Sequence, residues 1–457
     1  MRKYEWGQVG AALCGRPWVE PLGSDSRLPR MSVISAVFAI AAAFVGLCLP
    51  AFAADRYVAT SGSDTNPGTN THPWATLQHA VDSVSPGDTI LVAAGSYAGC
   101  RITRSGTAPA PCTLKAQPGA KVLVNSARPR SLYGSFIEAQ ADEGVSYWTI
   151  EGLEVAGSGR YGVDLRRTDH MTVRRCYVHH SRVTGLYDSH SDYTSFLDNE
   201  TAYNGEHGIY HANSGDYPAL RGNICHHNAG CGIQMNADLS MGDDGIIHSA
   251  LVERNVIFEN GAGNSGSAIN ASGQDHSVFR NNLIYANHAR GISLFAGDSA
   301  IGSRHCQVLN NTLVFGDDGN DLVILPESTD PAKPSPVDNV VMNNILYTAN
   351  AGAVVIRAYG PAAFAPAGCD HNIVVGRLRM GEGPILGLTE WQVYGFDLHS
   401  RPAEPGSLFA DPARHDYHLR PGSAAAGAGI ALPEVTDDLV GSKRPRNSPP
   451  DIGCYQE

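Results

Sequence analysis

The sequence predicts an all-β protein, a right-handed parallel β-helix, on the evidence of two repeating columns of residues. In the first column a glycine opens a short strand, and the first four of these glycines lie 23, 23 and 24 residues apart. The column comprises Gly162, Gly185, Gly208, Gly232, Gly266 and Gly291. In the second column an asparagine, or once a cysteine, precedes an alternating stretch, at Cys176, Asn199, Asn223, Asn255, Asn282, Asn311, Asn344 and Asn372.

Such columns are typical of coils with two or three short strands, in which each coil hydrogen-bonds to the next and inward apolar residues stack. Asparagines at one turn of every coil can adopt the left-handed conformation and form an amide ladder. A further asparagine follows five residues later in four coils, at Asn204, Asn228, Asn260 and Asn287. A single coil cannot bury its apolar face, so the array needs caps. We expect residues 76–84 to form an amphipathic capping helix with Thr76 as N-cap.

The chain divides into three predicted segments. Residues 1–53 are interpreted as a signal peptide with an upstream leader, because the apolar run from Val33 to Leu49 ends in Ala51-Phe52-Ala53, a small-x-small cleavage signal. Residues 54–375 should form the β-helix with its N-terminal cap, and residues 376–457, rich in Pro and Gly, an irregular C-terminal cap. No other segment is long and apolar enough to span a membrane. We therefore expect a secreted protein, extracellular or periplasmic.

The formal net charge of −12 argues against nucleic acid or an anionic membrane surface as partner. A monomer that acts on or binds a polysaccharide or other glycan is expected instead. Eight cysteines follow the leader, and the spacings allow Cys100 to pair with Cys112 and Cys225 with Cys231. Sequence alone does not fix that connectivity.

Three neighbouring coils concentrate polar and ionisable residues. Tyr187, Tyr210 and Gln234 should share one outward column, while Asp188 and His211 fall in an inward column. In other coils the inward position is apolar: Leu165, Met235, Ile269 and Leu294. Two ionisable groups stacked about 4.8 Å apart in an apolar column need each other or need a function.

These coils suggest chemistry on a uronic-acid polymer, which requires a base, an acid and a group that neutralises the carboxylate. The predicted catalytic residues are Asp188, His190, His207, Tyr210 and His211. One of the three histidines would be the base, Tyr210 an acid or base, and Asp188 would orient its neighbour. No lysine occurs between Lys121 and Lys333, which excludes a lysine base in the central coils.

Other polar residues of this region complete the predicted site. The expected substrate-binding residues are Tyr187, Asn213, Arg221, Gln234 and Asn236. An insertion at residues 238–248 lengthens one coil and should form a cleft wall. Its carboxylates are candidate calcium ligands, because hard oxygen atoms in a flexible loop suit that ion: Asp238, Asp243 and Asp244. No organic cofactor is expected.

Several motifs add a resemblance to this interpretation. Residues 57–69, Pro73-Trp-Ala-Thr-Leu, Pro86-Gly-Asp-Thr-Ile and Asp451-Ile-Gly-Cys-Tyr resemble the ends of secreted bacterial β-helix proteins, a group that includes polysaccharide lyases of the pectate-lyase type. Asp188-Ser189-His190 is similar to the Tyr-Gly-x-Asp-Pro-His motif of alginate C5-epimerases, with Ser189 in place of the proline and Tyr187 next to the aspartate. The resemblance implies a lyase or C5-epimerase acting on a polyuronate.

Two other functions stay open at this point. A non-catalytic surface or matrix β-helix could bind glycans through the face of Tyr187 and Tyr210. A polysaccharide hydrolase would need two carboxylates about 5 to 10 Å apart, for which Asp164, Glu206 and Asp188 are possible members. Several aspartates and histidines seven or fewer residues before the asparagine column are interpreted as turn or surface residues, among them Asp275, His276, His305 and His371.

Overall fold

A computed structural model describes residues 53–457, apart from 129–130, 132–133, 263–265 and 318–319, and without the side chain of residue 405. The predicted signal peptide and leader lie outside these residues except for Ala53. Within the described ranges, no helix has the length and apolar character needed to cross a membrane.

Each coil contributes one strand to each of three sheets, and each sheet has twelve strands. The first sheet comprises Asp55–Val58, Thr89–Val92, Cys112–Ala116, Val145–Glu151, Thr168–Arg174, Ser195–Leu197, Ala219–Arg221, Leu251–Glu253, Val278–Arg280, Gln307–Leu309, Asn339–Met342 and Phe364–Asp370. The second sheet comprises Cys100–Ile102, Ile137–Ala139, Val163–Arg166, Leu186–Ser189, Ile209–Ala212, Ile233–Asn236, Ser267–Ser272, Arg290–Phe295, Val323–Leu325, Ile356–Ala358, Leu378–Met380 and Ile385–Leu386. The third sheet comprises Gly95–Ala98, Val122–Ser126, Glu154–Ala156, Tyr177–His179, Glu200–Ala202, Ile224–His226, Val256–Phe258, Leu283–Tyr285, Thr312–Phe315, Ile345–Thr348, Ile373–Val375 and Arg401–Pro402.

Pairing within the sheets is parallel except for the last pair of the second sheet. The predicted parallel β-helix is therefore confirmed. Apolar residues stack in register inside the cylinder, as at Val163, Leu186, Ile209, Ile233 and Ile269.

The asparagine columns form the predicted ladders. Asn199 Nδ2 donates to Asn223 Oδ1 over 3.1 Å, and Asn223 repeats the contact with Asn255 over 3.0 Å. The left-handed conformation belongs to the residue before the ladder position, for example Asp198 with φ of 56°. That preceding residue makes the turn, which frees the asparagine side chain to bond the coils above and below. The expectation that the ladder asparagines themselves adopt this conformation was wrong.

Both chain ends of the cylinder carry helices. The helix Leu77–Ser83 begins after Thr76, whose hydroxyl accepts a bond from the His79 amide. Its role in closing the N-terminal end stays a prediction. The helix Leu388–Gln392 buries Trp391 against the main core, together with Phe396. Short 3₁₀ turns occur at Leu239–Met241, Pro361–Ala363, Pro405–Ser407 and Pro412–Arg414.

The remaining C-terminal residues lie along the third sheet. Tyr417 and Ile452 pack in a second core with Leu283 and Ile345 of that sheet. The buried Arg444 fastens this segment by donating to the carbonyl oxygens of residues 437, 451 and 453. Within this segment Phe409–Asp411 pairs with Asp416–Leu419. Elsewhere in the chain, outside the three large sheets, Ile247–His248 pairs with Gln274–Asp275. The segment therefore covers a side of the cylinder as well as its end.

All eight described cysteines are buried free thiols, so neither of the two pairings that the spacings allowed is formed. Cys100 lies in the second sheet and Cys112 in the first. Burial raises the pKa of the Cys100 and Cys225 thiols to about 12. These cysteines act as small apolar core residues.

Candidate active site on the second sheet

An outward column of the second sheet forms the centre of the candidate site. The register pairs Tyr187 with Tyr210, Tyr210 with Gln234, Gln234 with Asn270, and Asn270 with Ser293. We call these five residues the central column. The shared column predicted for its first three members is confirmed, and neighbouring members lie about 4.8 Å apart along the cylinder.

Tyr210 has the most distinctive surroundings in the central column. Burial is the main cause that raises the pKa of Tyr210 to about 12, and the Asn236 side chain, on the next strand, partly offsets that rise. The rings of Tyr187 and His207 both approach it edge-on, with centroids 5.4 Å away. Tyr210 is therefore neutral at ordinary pH and holds a proton that it can donate.

The imidazole of His207 is fixed as a hydrogen-bond donor. Its Nδ1 accepts a bond of 3.0 Å from the Cys231 amide, so the proton of the neutral ring lies on Nε2. Burial lowers the pKa of His207 to about 4. The ring stays neutral near pH 7, and Nε2 can donate to a ligand but cannot accept a proton from it.

His190 is held between its own strand and the insertion. Its Nε2 lies 3.2 Å from the carbonyl oxygen of Met241, and its Nδ1 lies 2.9 Å from Ser189 Oγ. Since a carbonyl only accepts, Nε2 donates and Nδ1 accepts. Asn213, buried in the next turn, donates to the same Ser189 hydroxyl over 2.9 Å. Asn213 and His190 thus fix the turn beside the central column, and the ring presents no free lone pair.

Asp188 and His211 face the inside of the cylinder, where neither has any exposed surface. His211 Nδ1 lies 2.8 Å from Asp188 Oδ2, and Nε2 lies 2.8 Å from the carbonyl oxygen of Gly215. Burial lowers the pKa of His211, but the Asp188 carboxylate and the Gly215 carbonyl more than offset this, and the net pKa is raised. Both nitrogens donate, so the pair is a buried imidazolium and carboxylate.

This burial changes the interpretation of two predicted catalytic residues. A polymer on the outside of the cylinder cannot touch Asp188 or His211, and we place both in the core. The apolar neighbours in their column are Leu165, Met235 and Ala271, followed by Leu294. Ala271 occupies the position assigned from sequence to Ile269, because the repeat shifts by two residues in that coil.

Upstream of Tyr187 the same outward column continues with two carboxylates, Asp164 and Glu138. Arg166 Nε lies 2.7 Å from Asp164, and Arg128 Nη2 lies 3.0 Å from Glu138. Both carboxylates are almost fully buried. They are committed to these arginines, so Asp164, a possible member of a hydrolase pair, is not available to a polymer on this face. Glu206 is exposed and lies before the strand that carries Tyr210.

The insertion at residues 238–248 stands beside the central column as predicted. Leu239 donates its amide to the Asp298 carbonyl, and Ala300 donates to that of Gly245. Asn236, at the end of its strand, contacts the Asp298 carboxylate over 3.4 Å. The insertion is thereby tied to a later coil and forms one wall of the site.

A groove of about 390 Å³ continues the site past Gln234. Gln234 Oε1 accepts a bond of 2.9 Å from Asn270 Nδ2 at its edge. The groove is lined by Asn270, Arg290, Ser293, Phe295, Ile324 and Arg357. Arg290 is exposed, and no carboxylate of the described residues pairs with it, whereas Arg357 is bound by Glu382 and Asp321. Arg290 is therefore a cation open to an anionic ligand.

Two sets of predicted residues do not join this site. Arg221 lies in the first sheet and pairs with Glu253 over 2.5 Å, so the structure does not bring it to the central column. The predicted calcium ligands Asp238, Asp243 and Asp244 accept bonds from nearby amides in their own loop. Their oxygens do not converge as a three-ligand group. Within the described ranges, such groups occur at Asp275, His276 and His305, and at Asp370, His371 and His399.

Comparison of the sequence with models of protein families identifies the family of this chain. A model described as the Pel9A-like right-handed β-helix region matches residues 56–311, which is more than half of the chain. The chain belongs to this Pel9A-like family. The matched residues include the whole central column, so the family region and the candidate site coincide.

Curated relatives of this Pel9A-like β-helix match over shorter stretches. Pectate lyase PEL9 of Emericella nidulans is 33% identical over 156 residues, which cover 31% of this chain and 37% of the relative. Pectate lyase L of Dickeya dadantii is 27% identical over 161 residues, covering 32% and 36%. The chain thus spans little more than a third of each relative's length. The crystal structure of pectate lyase Pel9A superposes with a TM-score of 0.60 at 16% identity, covering 88% of this chain and 96% of that one. That likeness shows the fold.

Sequence reasoning missed Arg290 as a site residue. The signal was present, because Arg290 precedes Gly291 as His207 precedes Gly208, and both glycines open a strand of the second sheet. Arg290 was overlooked because its coil lies beyond the three coils in which polar residues concentrate.

Proposed function

We propose that this protein is a secreted polysaccharide lyase or C5-epimerase that acts on a polyuronate at the central column. The observation that carries the proposal is the family match over residues 56–311, which contains that column. Two relatives whose names describe pectate lyases support the lyase over the epimerase. The apolar run before Ala53 supports export.

Tyr210 is the proposed proton-transfer residue. Elimination breaks the C–H bond beside the carboxylate and the bond to the leaving oxygen, so it needs a base for the first and an acid for the second. Neutral Tyr210, beside Asn236, can protonate the leaving oxygen, and water in the open groove would accept the carbon-bound proton. His207 would assist as a neutral donor through Nε2, because its Nδ1 is already occupied by the Cys231 amide. The earlier assignment of a histidine base is replaced by these donor roles, since His190 and His207 offer no free lone pair and His211 is buried.

Arg290 is the proposed carboxylate-binding residue. It stands at the groove edge three coils beyond Tyr210, with the amides of Gln234 and Asn270 between them. Spacing in the sheet makes that distance on the order of 10 to 15 Å, long enough for more than one sugar residue. An exposed guanidinium offers two parallel donors to a carboxylate. In a chain of net charge −12, such a cation locally favours an anionic polymer.

The first experiment incubates the purified protein with pectate, alginate and glycosaminoglycans, with and without calcium, and follows absorbance near 230 nm. Elimination conjugates a new double bond with the carboxylate, so a lyase raises the absorbance. The calcium arm tests the calcium binding that the sequence predicted. Tyr210→Phe, which removes only the hydroxyl, should abolish most of the rise. Tyr203→Phe, at an exposed turn of the third sheet, is the matched control.

The other functions give different results in the same samples. An epimerase leaves the absorbance unchanged and alters the NMR spectrum of the recovered polymer. A hydrolase produces reducing ends without absorbance. A non-catalytic binder retains polymer without changing it. Absence of every chemical change across the panel would contradict the proposal.

A further inference from the structure

Three side chains at a turn between the second and first sheets converge on one point. His276 Nδ1 lies 2.7 Å and His305 Nδ1 2.9 Å from the same oxygen, Asp275 Oδ1. The two rings face each other with centroids 4.6 Å apart. Arg304 holds the other oxygen, Oδ2, over 3.0 Å. The arginine thus fixes the carboxylate while leaving Oδ1 to the two imidazoles.

Another coil shows that this convergence does not follow from the turn alone. His170 occupies an equivalent left-handed turn position and also contacts the preceding aspartate, Asp169, over 2.8 Å. Its ring stacks between Tyr147 and Tyr193 and meets no second imidazole. At His276 the next coil supplies the imidazole of His305 instead of a tyrosine ring. Two nitrogens and one oxygen therefore meet at one place.

Further ionisable side chains surround these three. His248 Nδ1 lies 3.7 Å from Asp275 Oδ2, and its Nε2 lies 3.4 Å from Asp244. Asp338 Oδ2 lies 4.0 Å from His305 Nε2. Such outer carboxylates orient ligating histidines and raise their basicity. They also offset the positive charge that Arg304 brings near the site.

We propose that Asp275, His276 and His305 bind a divalent cation of the zinc class. Zinc takes imidazole nitrogen and carboxylate oxygen at three protein positions and leaves a fourth for water. Calcium prefers six to eight oxygen ligands, which this cluster does not provide. His276 and His305 are solvent-exposed, so the open side is accessible to an ion. The proposal does not depend on the polyuronate function.

The site lies at the foot of the cleft wall. Gln274–Asp275 pairs with Ile247–His248, the last residues of the insertion, and Ser249 donates its amide to the Asp275 carbonyl. Asp244 of the insertion reaches the cluster through His248. A cation held by Asp275 therefore stabilises the strand pair that anchors the insertion, and its binding should slow hydrogen exchange of the amides at residues 245–247.

The test titrates zinc chloride into the purified protein by calorimetry, in a His399→Gln background that removes the other three-ligand group. One zinc per chain is expected. His276→Gln or His305→Gln should weaken zinc binding at least about tenfold, because even the loss of a side chain that only orients a ligand has an effect of that size. His170→Gln, the matched turn histidine, should leave the affinity unchanged. Calcium chloride should neither bind there nor compete.

Two results would overturn the inference. One is absence of zinc binding in the His399→Gln protein. The other is an affinity that His276→Gln and His305→Gln leave unaltered while both variants keep the circular dichroism and thermal midpoint of the parent. Hydrogen exchange with and without zinc tests the anchoring of the insertion separately, and an unchanged rate at residues 245–247 would contradict that part.

Discussion

Two adjacent strands carry two pairs of polar residues that differ only in the side of the sheet they face. Tyr187 and Tyr210 face outward, where Tyr187 is covered by its neighbours and Tyr210 stays partly exposed in the candidate site, while Asp188 and His211, one residue later on each strand, point into the core. By residue type the inward pair looks more catalytic than the outward pair. Access decides otherwise, because a group inside a packed cylinder cannot meet a polymer. The comparison separates residues that hold the site from residues that can act in it.

The largest expected effect is on folding, from breaking the inward pair. Asp188→Ala or His211→Ala should lower the free energy of unfolding by about 3 to 5 kcal/mol, because each leaves an uncompensated buried charge. The double variant Asp188→Leu/His211→Met places the residue types of Leu165 and Met235 in the column. It should recover most of that loss. Chemical denaturation measures all three, and a double variant as unstable as the singles would refute this account.

Substitution of Tyr210, in the outward pair, should affect turnover much more than stability. Tyr210→Phe should lower kcat on the active polymer by about a hundredfold or more, since a positioned acid contributes on the order of 10² to 10⁴. Its free energy of unfolding should change by only about 1 kcal/mol, the net value of one hydrogen bond. Asp188→Leu/His211→Met should keep its turnover. Lost turnover in that double variant with intact folding would return the inward pair to catalysis.

The fold was predictable because the same pattern of residue types recurs in every coil. The spacing of Gly162, Gly185 and Gly208 fixed the coil length, and alternation then assigned Tyr187 outward and Asp188 inward. Prediction failed where coils change length. Ile269 was assigned a position that belongs to Ala271. Arg290 was overlooked for another reason, because its coil lies beyond the three coils in which polar residues concentrate. Burial of the ion pair was visible in the pattern, but the second hydrogen bond of His211 goes to the carbonyl of Gly215, which only the folded turn supplies.

Contacts across coils limited the prediction of the site in a similar way. Arg221 looked suitable by composition but lies in another sheet, where Glu253 holds it. Asp238, Asp243 and Asp244 are close in sequence, yet each is satisfied by its own loop. The convergence of His276 and His305 links residues in successive coils whose separation of 29 positions is not the common spacing. Sequence patterns thus predicted the columns better than the contacts between turns.

A smaller effect should follow from the groove cation. Arg290→Gln should raise KM for a polyuronate about tenfold, equivalent to about 1.4 kcal/mol, because it removes a charged donor from the carboxylate while keeping the fold. Arg414→Gln, an exposed arginine of the C-terminal segment, is the control and should leave KM unchanged. Steady-state kinetics at low and high salt would test this further. Salt screens the exposed Arg290 charge, so KM should rise with salt more in the parent protein than in Arg290→Gln. Equal KM for Arg290→Gln and the parent protein would remove Arg290 from substrate binding.

The smallest effect is a pH dependence that also distinguishes the two sides of the sheet. Because the folded protein raises the pKa of His211, its proton stabilises the fold below the unfolded value of about 6.5, and that stabilisation is lost as pH rises through the folded pKa. The slope there should be no steeper than about 1.4 kcal/mol per pH unit. His207, whose pKa falls to about 4, contributes with the opposite sign and only below about pH 6.5. Denaturation above pH 6.5 should therefore show stability falling with pH in the parent relative to Asp188→Leu/His211→Met. Parallel curves for the two proteins would mean that His211 is not held as an imidazolium.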